Sequence, residues 1–131
     1  MILVDSSVWI DWLRAGNHPA TLQLDRLIDE DEVVLSPVTE QEILMGARGA
    51  AQLAKLRSYF GAIPVLMPTR STFSDAGALY ARCRWAGVTP RSPHDCLIAQ
   101  SAVEHKIPLL TNDRDFAQIA KIEERLQLLA F

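Results

Sequence analysis

The stretch MILVDSSVWIDWL, residues 1–13, decides the fold. Ile2, Leu3 and Val4 form a short apolar run of the kind that makes a buried strand. Asp5 ends that run, and Ser6 and Ser7 follow. From Val8 the apolar residues Val8, Trp9, Trp12 and Leu13 take up helical spacing. A core strand that stops on a carboxylate and turns at once into a helix is the start of an α/β unit. The carboxylate then stands at the carboxyl end of the strand.

The same alternation continues along the chain. A helix spans about Pro19 to Asp29, and Val33 to Leu35 reads as a second strand. Thr39 followed by Glu42 has the form of a capping box, which puts a helix start at Thr39 and Glu42 on its first turn. Another helix runs from about Ala50 to Tyr59, and Ile63 to Leu66 is a third strand candidate at a sheet edge because Pro64 interrupts it. In the longest helix, about Arg70 to Trp85, Phe73, Ala76, Gly77, Tyr80 and Cys83 define the expected buried face. Ser92-Pro93 is a helix start, N-cap then proline. Pro108 to Thr111 gives a fourth strand, Asp113 to Ala120 a helix, and Leu126 to Leu129 a last strand. This pattern predicts a three-layer α/β/α sandwich around a central parallel sheet, in one domain over residues 1–131.

Ligands of open parallel sheets bind at the carboxyl ends of the strands. Asp5, Glu42, Asp95, Asp113 and Asp115 all fall at that edge. Each has a purely structural reading: Asp5 and Asp113 as helix N-caps, Glu42 as the capping-box acid, Asp95 as a favourable charge on a helix first turn. Their convergence on one edge is harder to explain that way. Carboxylates crowded in a cleft repel and raise one another's pKa. A divalent cation such as Mg²⁺ or Mn²⁺ relieves this, prefers oxygen ligands, and neutralises charge on a phosphodiester. His94, beside Asp95, is a candidate base against a plain helix-surface role.

Composition sets outer bounds. The 131 residues carry a net charge of -3, with 49% hydrophobic and 22% charged residues, which is ordinary for a globular protein and unlike one that coats nucleic acid by bulk charge. No apolar run reaches the ~20 residues of a membrane span, and residues 1–13 lack a secretory pattern. Two cysteines, Cys83 and Cys96, fit a reducing cytoplasmic setting better than a disulfide framework.

Four blocks, VDSSVWIDWLR at 4–14, TEQEILMG at 39–46, SPHDCLIAQSA at 92–102 and LLTNDRDFAQIA at 109–120, resemble the PIN-domain ribonucleases, and most closely the VapC-type toxins of toxin–antitoxin modules. They occur in the family's order along the whole chain. The resemblance implies Mg²⁺- or Mn²⁺-dependent endoribonuclease activity and a VapB-like antitoxin that inserts near the active site. It also implies pairing as a homodimer within a higher toxin–antitoxin assembly. By position, the family's acidic residues fall on Asp5, Glu42, Asp95 and Asp113, as catalytic and metal-holding groups, with Asp5 and Asp95 holding the main ion. Asp115 and the hydroxyl of Ser6 are secondary candidates. Trp9, Trp12 and Leu13 either pack on a neighbouring helix or form a groove for an amphipathic antitoxin segment. Arg82, Arg84 and Arg91 either are solvated surface charges or flank the RNA path.

Rival readings are weaker. A haloacid-dehalogenase-type phosphatase needs an aspartate where Ser7 stands, and no glycine-rich phosphate loop follows any strand. A rival of another class, a catalytically inactive PIN module that only binds a partner, would be marked by loss of one or more of these acids.

Overall fold

The computed structural model describes all 131 residues and contains a parallel sheet with helices on both faces. Strand β1 (Ile2–Val4) lies at the centre, between β2 (Val33–Val34) and β3 (Leu109–Leu110). The register pairs Leu3 with Val34 on one side and with Leu109 on the other. Single parallel bridges, Leu35 to Val65 and Leu109 to Leu128, widen the sheet at each edge. The third and last strands expected from sequence are thus reduced to one bridge each. Pro64 has no amide hydrogen to give a longer ladder, though its carbonyl accepts from the Leu35 amide.

Successive side chains of a strand point to opposite faces, and β1 shows what this does for the core. Leu3 joins one apolar cluster and Val4 the other. The Leu3 side is covered by α5 (Arg70–Trp85), α6 (Pro93–His105) and α7 (Asp115–Ile122), through residues such as Leu79, Ile98 and Phe116. The Val4 side is covered by α1 (Ser6–Leu13), α2 (Pro19–Asp29), α3 (Pro37–Met45) and α4 (Ala50–Phe60), through Trp9, Leu24, Ile43 and Phe60. The α/β/α sandwich is therefore present.

Three expectations need correction. First, α3 starts at Pro37 with Ser36 at the N-cap, so Thr39 is its third residue and Glu42 sits on the second turn. Proline's fixed φ suits the first helical position, and this outcompetes the capping-box pattern. Second, the buried face of α5 is Thr72, Ala76, Leu79 and Cys83, while Phe73 stands 56% exposed. Thr72 can be buried because its hydroxyl donates to Glu104 Oε2 at 3.0 Å. Third, of the two alternatives for Trp9 the structure shows packing and not the groove. Trp9 is fully buried, edge-on to Phe60 with ring centroids 4.9 Å apart. Trp12 is half-buried, stacked on Tyr59 and donating to Asp25 Oδ1 at 2.8 Å.

Candidate active site

Because β1 is flanked by β2 and β3 on opposite sides, the chain changes direction across the sheet at the carboxyl end of β1. That is where open α/β sheets form a crevice. Asp5 occupies this point. It is the N-cap of α1 and 3% exposed, and its Oδ2 accepts from the Ser7 amide, the Ser7 hydroxyl at 2.8 Å and the Thr111 hydroxyl at 3.0 Å. These bonds end on one oxygen of the carboxylate. Burial nevertheless holds the Asp5 carboxyl above the usual carboxylate range, the hydrogen bonds opposing it only in part.

Thr111 and Ser7 tie two distant segments together. Asp5 accepts the Thr111 hydroxyl, while the Ser7 hydroxyl accepts from the Asn112 amide at 3.0 Å and Thr111 Oγ1 accepts from the Asp113 amide at 2.9 Å. Asn112 also donates to Asp11 Oδ2 at 2.9 Å, anchoring the loop to the next turn of α1. Ser7, Asp11, Thr111 and Asn112 are the residues that sequence reasoning undervalued. For Ser7, Thr111 and Asn112 the signal was a place beside acids at a strand end, while Asp11, on the second turn of α1, had none.

Glu42 approaches from α3, where its Oε2 accepts from the Ser6 hydroxyl at 3.3 Å. Burial raises its carboxyl, and the nearby charge of Asp5 raises it further. Asp95 lies on the first turn of α6, whose N-cap is Ser92. Its carboxyl is pushed up to about 7, first by burial and then by the charges of Asp113, Asp5, Asp115 and Glu42. One carboxylate thus feels all four other acids, so five acids from four separate stretches share a single field. Oxygens of Asp95, Asp113 and Asp115 lie within 4.8 Å of one another. Asp113 Oδ1 in turn accepts the Asp115 amide at 2.9 Å.

Arg91 enters this cluster from the loop before α6. Its Nη2 donates to Asp113 Oδ1 at 3.0 Å, and its Nε and backbone amide both donate to Asp115 Oδ2. These contacts, led by the Arg91 amide, hold the Asp115 carboxyl below its ordinary range. Arg82 is engaged elsewhere: its Nη2 pairs with the buried Glu123 at 3.2 Å, in a hollow lined by Gln100 and Glu104 from later turns of α6. Arg84 is exposed on the last turn of α5, and His94 is exposed on the first turn of α6. Leu13 borders an open groove of about 360 Å³ with Ile10, Glu42, Ile43 and Leu56, where Arg14 and Arg48 add positive charge.

An all-oxygen set of crowded, partly buried carboxylates matches a hard divalent cation and offers nothing to a soft metal. No helix is long and apolar enough to cross a membrane.

Comparison with known proteins agrees with this fold. Residues 2–122 match the PIN domain. VapC ribonuclease Mb1587 of Mycobacterium bovis is 34% identical over 134 aligned residues, covering 100% of this chain and 99% of that protein. Ribonuclease VapC11 of Mycobacterium tuberculosis matches to the same extent, 34% over 134 residues, with 100% and 99% covered. Among solved structures, the fold is similar to VapBC2 from Rickettsia felis bound to a DNA fragment from their promoter, with a TM-score of 0.76 and 18% identity over 98% of both chains. The chain belongs to the PIN-domain family and, within it, groups with the VapC ribonucleases.

Proposed function

We propose that this chain is an endoribonuclease that hydrolyses RNA phosphodiesters with Mg²⁺ or Mn²⁺, and that it is the toxic member of a pair neutralised by a VapB-like antitoxin. Residues 1–131 act as one PIN domain. One observation carries the reading: carboxylate oxygens of Asp95, Asp113 and Asp115 lie within 4.8 Å of one another, and the charges of Asp5 and Glu42 reach Asp95 as well, a crowding that a divalent cation relieves. The full-length likeness to proteins named VapC ribonuclease supports the choice of RNA.

In this reading Asp5, Glu42, Asp95 and Asp113 hold the ion, with Asp115 beside them. When bound, the ion supplies activation of water and neutralises charge on the phosphodiester. The protein's part is positioning. Ser7 and Thr111 fix the Asp5 carboxylate through its Oδ2, and Ser6 orients Glu42. Asp11, through Asn112, holds the loop that carries Asp113. Hydrolysis leaves a 3′-hydroxyl and a 5′-phosphate.

The antitoxin seat consistent with this geometry is the groove by Leu13. It adjoins Glu42, so an apolar segment lying there reaches the acids, and Arg14 and Arg48 suit acidic groups on that segment. One solved structure of similar fold is a toxin–antitoxin complex from Klebsiella pneumoniae, which supports a partner of this kind. Pairing with a second copy completes the proposed assembly.

The test is RNA cleavage followed by sequencing of fragment 5′ ends, comparing the wild type with D5N. Asn keeps an oxygen for Ser7 and Thr111 but removes the charge. We expect D5N to fold and to lose about 100-fold or more in rate, and EDTA to silence the wild type. Wild-type cleavage by D5N would overturn the assignment.

A further inference from the structure

The acids of the site are not all alike in what surrounds them. Asp5 and Glu42 accept bonds from the hydroxyls of Ser7, Thr111 and Ser6, Asp95 has an oxygen within 4.8 Å of those of Asp113 and Asp115, and all three carboxyls are raised. Asp113 and Asp115 meet a cation that belongs to the chain itself. Arg91 grips both, Nη2 to Asp113 at 3.0 Å and Nε to Asp115 at 3.2 Å. Its backbone amide adds a third bond, to Asp115 at 3.0 Å.

The backbone presets this position. Arg91 lies in the segment Pro90-Arg91-Ser92-Pro93, where two prolines restrict φ on either side and Pro90 is buried. The amide bond to Asp115 is therefore part of a stiff loop. The guanidinium is different. Its side chain is 77% exposed, so it can leave both carboxylates by side-chain rotation alone, with no cost in burial.

We propose that Arg91 is the resident counter-ion of the Asp113–Asp115 half of the centre, and that it sets metal affinity because a divalent cation entering there works against its charge. The proposal rests on the metal-dependent reading above and adds a residue to it. Arg91 is a positioning residue in this scheme. It keeps two acids from repelling each other and Asp95 in the metal-free protein, and it yields part of that role when the ion binds. The two states are linked: whatever part of its interaction with the acids Arg91 loses when the ion enters opposes metal binding by that amount.

The experiment is Mn²⁺ titration of the full chain at neutral pH, with melting temperature measured in EDTA, for wild type, R91Q, R91K and R84Q. Arg84 is exposed like Arg91 but contacts none of the acids, so R84Q controls for net charge. Two exposed ion pairs are removed in R91Q, and Mn²⁺ binding is expected to tighten about fivefold. R91Q should also melt lower than wild type in EDTA and gain more on adding Mn²⁺. R91K, which keeps the charge but loses the forked contact, should fall between them. Equal or weaker Mn²⁺ binding by R91Q, or equal tightening in R84Q, would overturn the proposal while leaving the metal centre standing. Absence of Mn²⁺ binding by the wild type would overturn both.

Discussion

At the scale of the residue, Asp95 carries the most information. Its folded-state pKa of about 7 lies above the ordinary 3.8, so the folded protein holds a proton that the unfolded chain releases. Such a group favours the folded state most at low pH, and that contribution is lost as pH rises through about 7. Asp5 and Glu42 are raised as well and act in the same direction. The metal-free protein should therefore melt higher at pH 5.5 than at pH 8, and D95N should flatten the difference. At lower pH the sign reverses. Glu123 is lowered to about 2 by its bonds to Arg125 and Arg82, so its contribution is present above about 4.5 and is lost as pH falls towards 2. Thermal melts in EDTA across pH check both limbs. A wild-type curve that rises steadily from pH 5.5 to 8 would refute the assignment for Asp95.

At the scale of the element, local signals competed. On α3, Ser36-Pro37 and Thr39-to-Glu42 both mark a helix start, and the proline's restricted φ decides. The result leaves Thr39 fully buried with an unpartnered hydroxyl, and moves Glu42 to the turn that faces Ser6. On α5, two rows of residues fit helical spacing. The row containing Phe73 and Tyr80 is the more apolar, but the row through Leu79 is the buried one, where Glu104 of α6 accepts the Thr72 hydroxyl. This yields a sharp contrast. Leu79→Ala, at a fully buried position, should cost about 2–5 kcal/mol, whereas Phe73→Ala should cost under about 1 kcal/mol. Urea denaturation of the two variants checks it, and a larger loss for Phe73→Ala would contradict the packing described. Cys83 and Cys96 meet across α5 and α6, both buried, and burial pushes the Cys96 thiol up to about 12. They pack as small apolar groups, as their sequence context indicated, and thiol reagents should react only on unfolding.

At the scale of the molecule, the alternation of short apolar runs with helices was enough for the sandwich, since Leu3 and Val4 really do face opposite cores. The place of Asp5 at the carboxyl end of the central strand was legible for the same reason, whereas Asp95, on a helix that follows another helix directly, comes within 4.8 Å of Asp113 and Asp115 only through the packing of α6. Three things were not legible. Sheet width depends on pairings far apart in sequence, and two expected strands shrank to single bridges. The exposure of Trp9 depends on Phe60, which lies about fifty residues away and closes over it. The contact of Arg91 with Asp113 and Asp115 depends on loop geometry that no spacing rule describes. The central claim is that carboxylates from four separate stretches form one divalent-cation centre. Its most direct measurement is a Mn²⁺ binding isotherm at pH 7.5 on wild type and D95N, with folding of both verified by thermal melts. We predict saturable binding by wild type and its loss in D95N; binding by D95N as tight as by wild type would contradict the account.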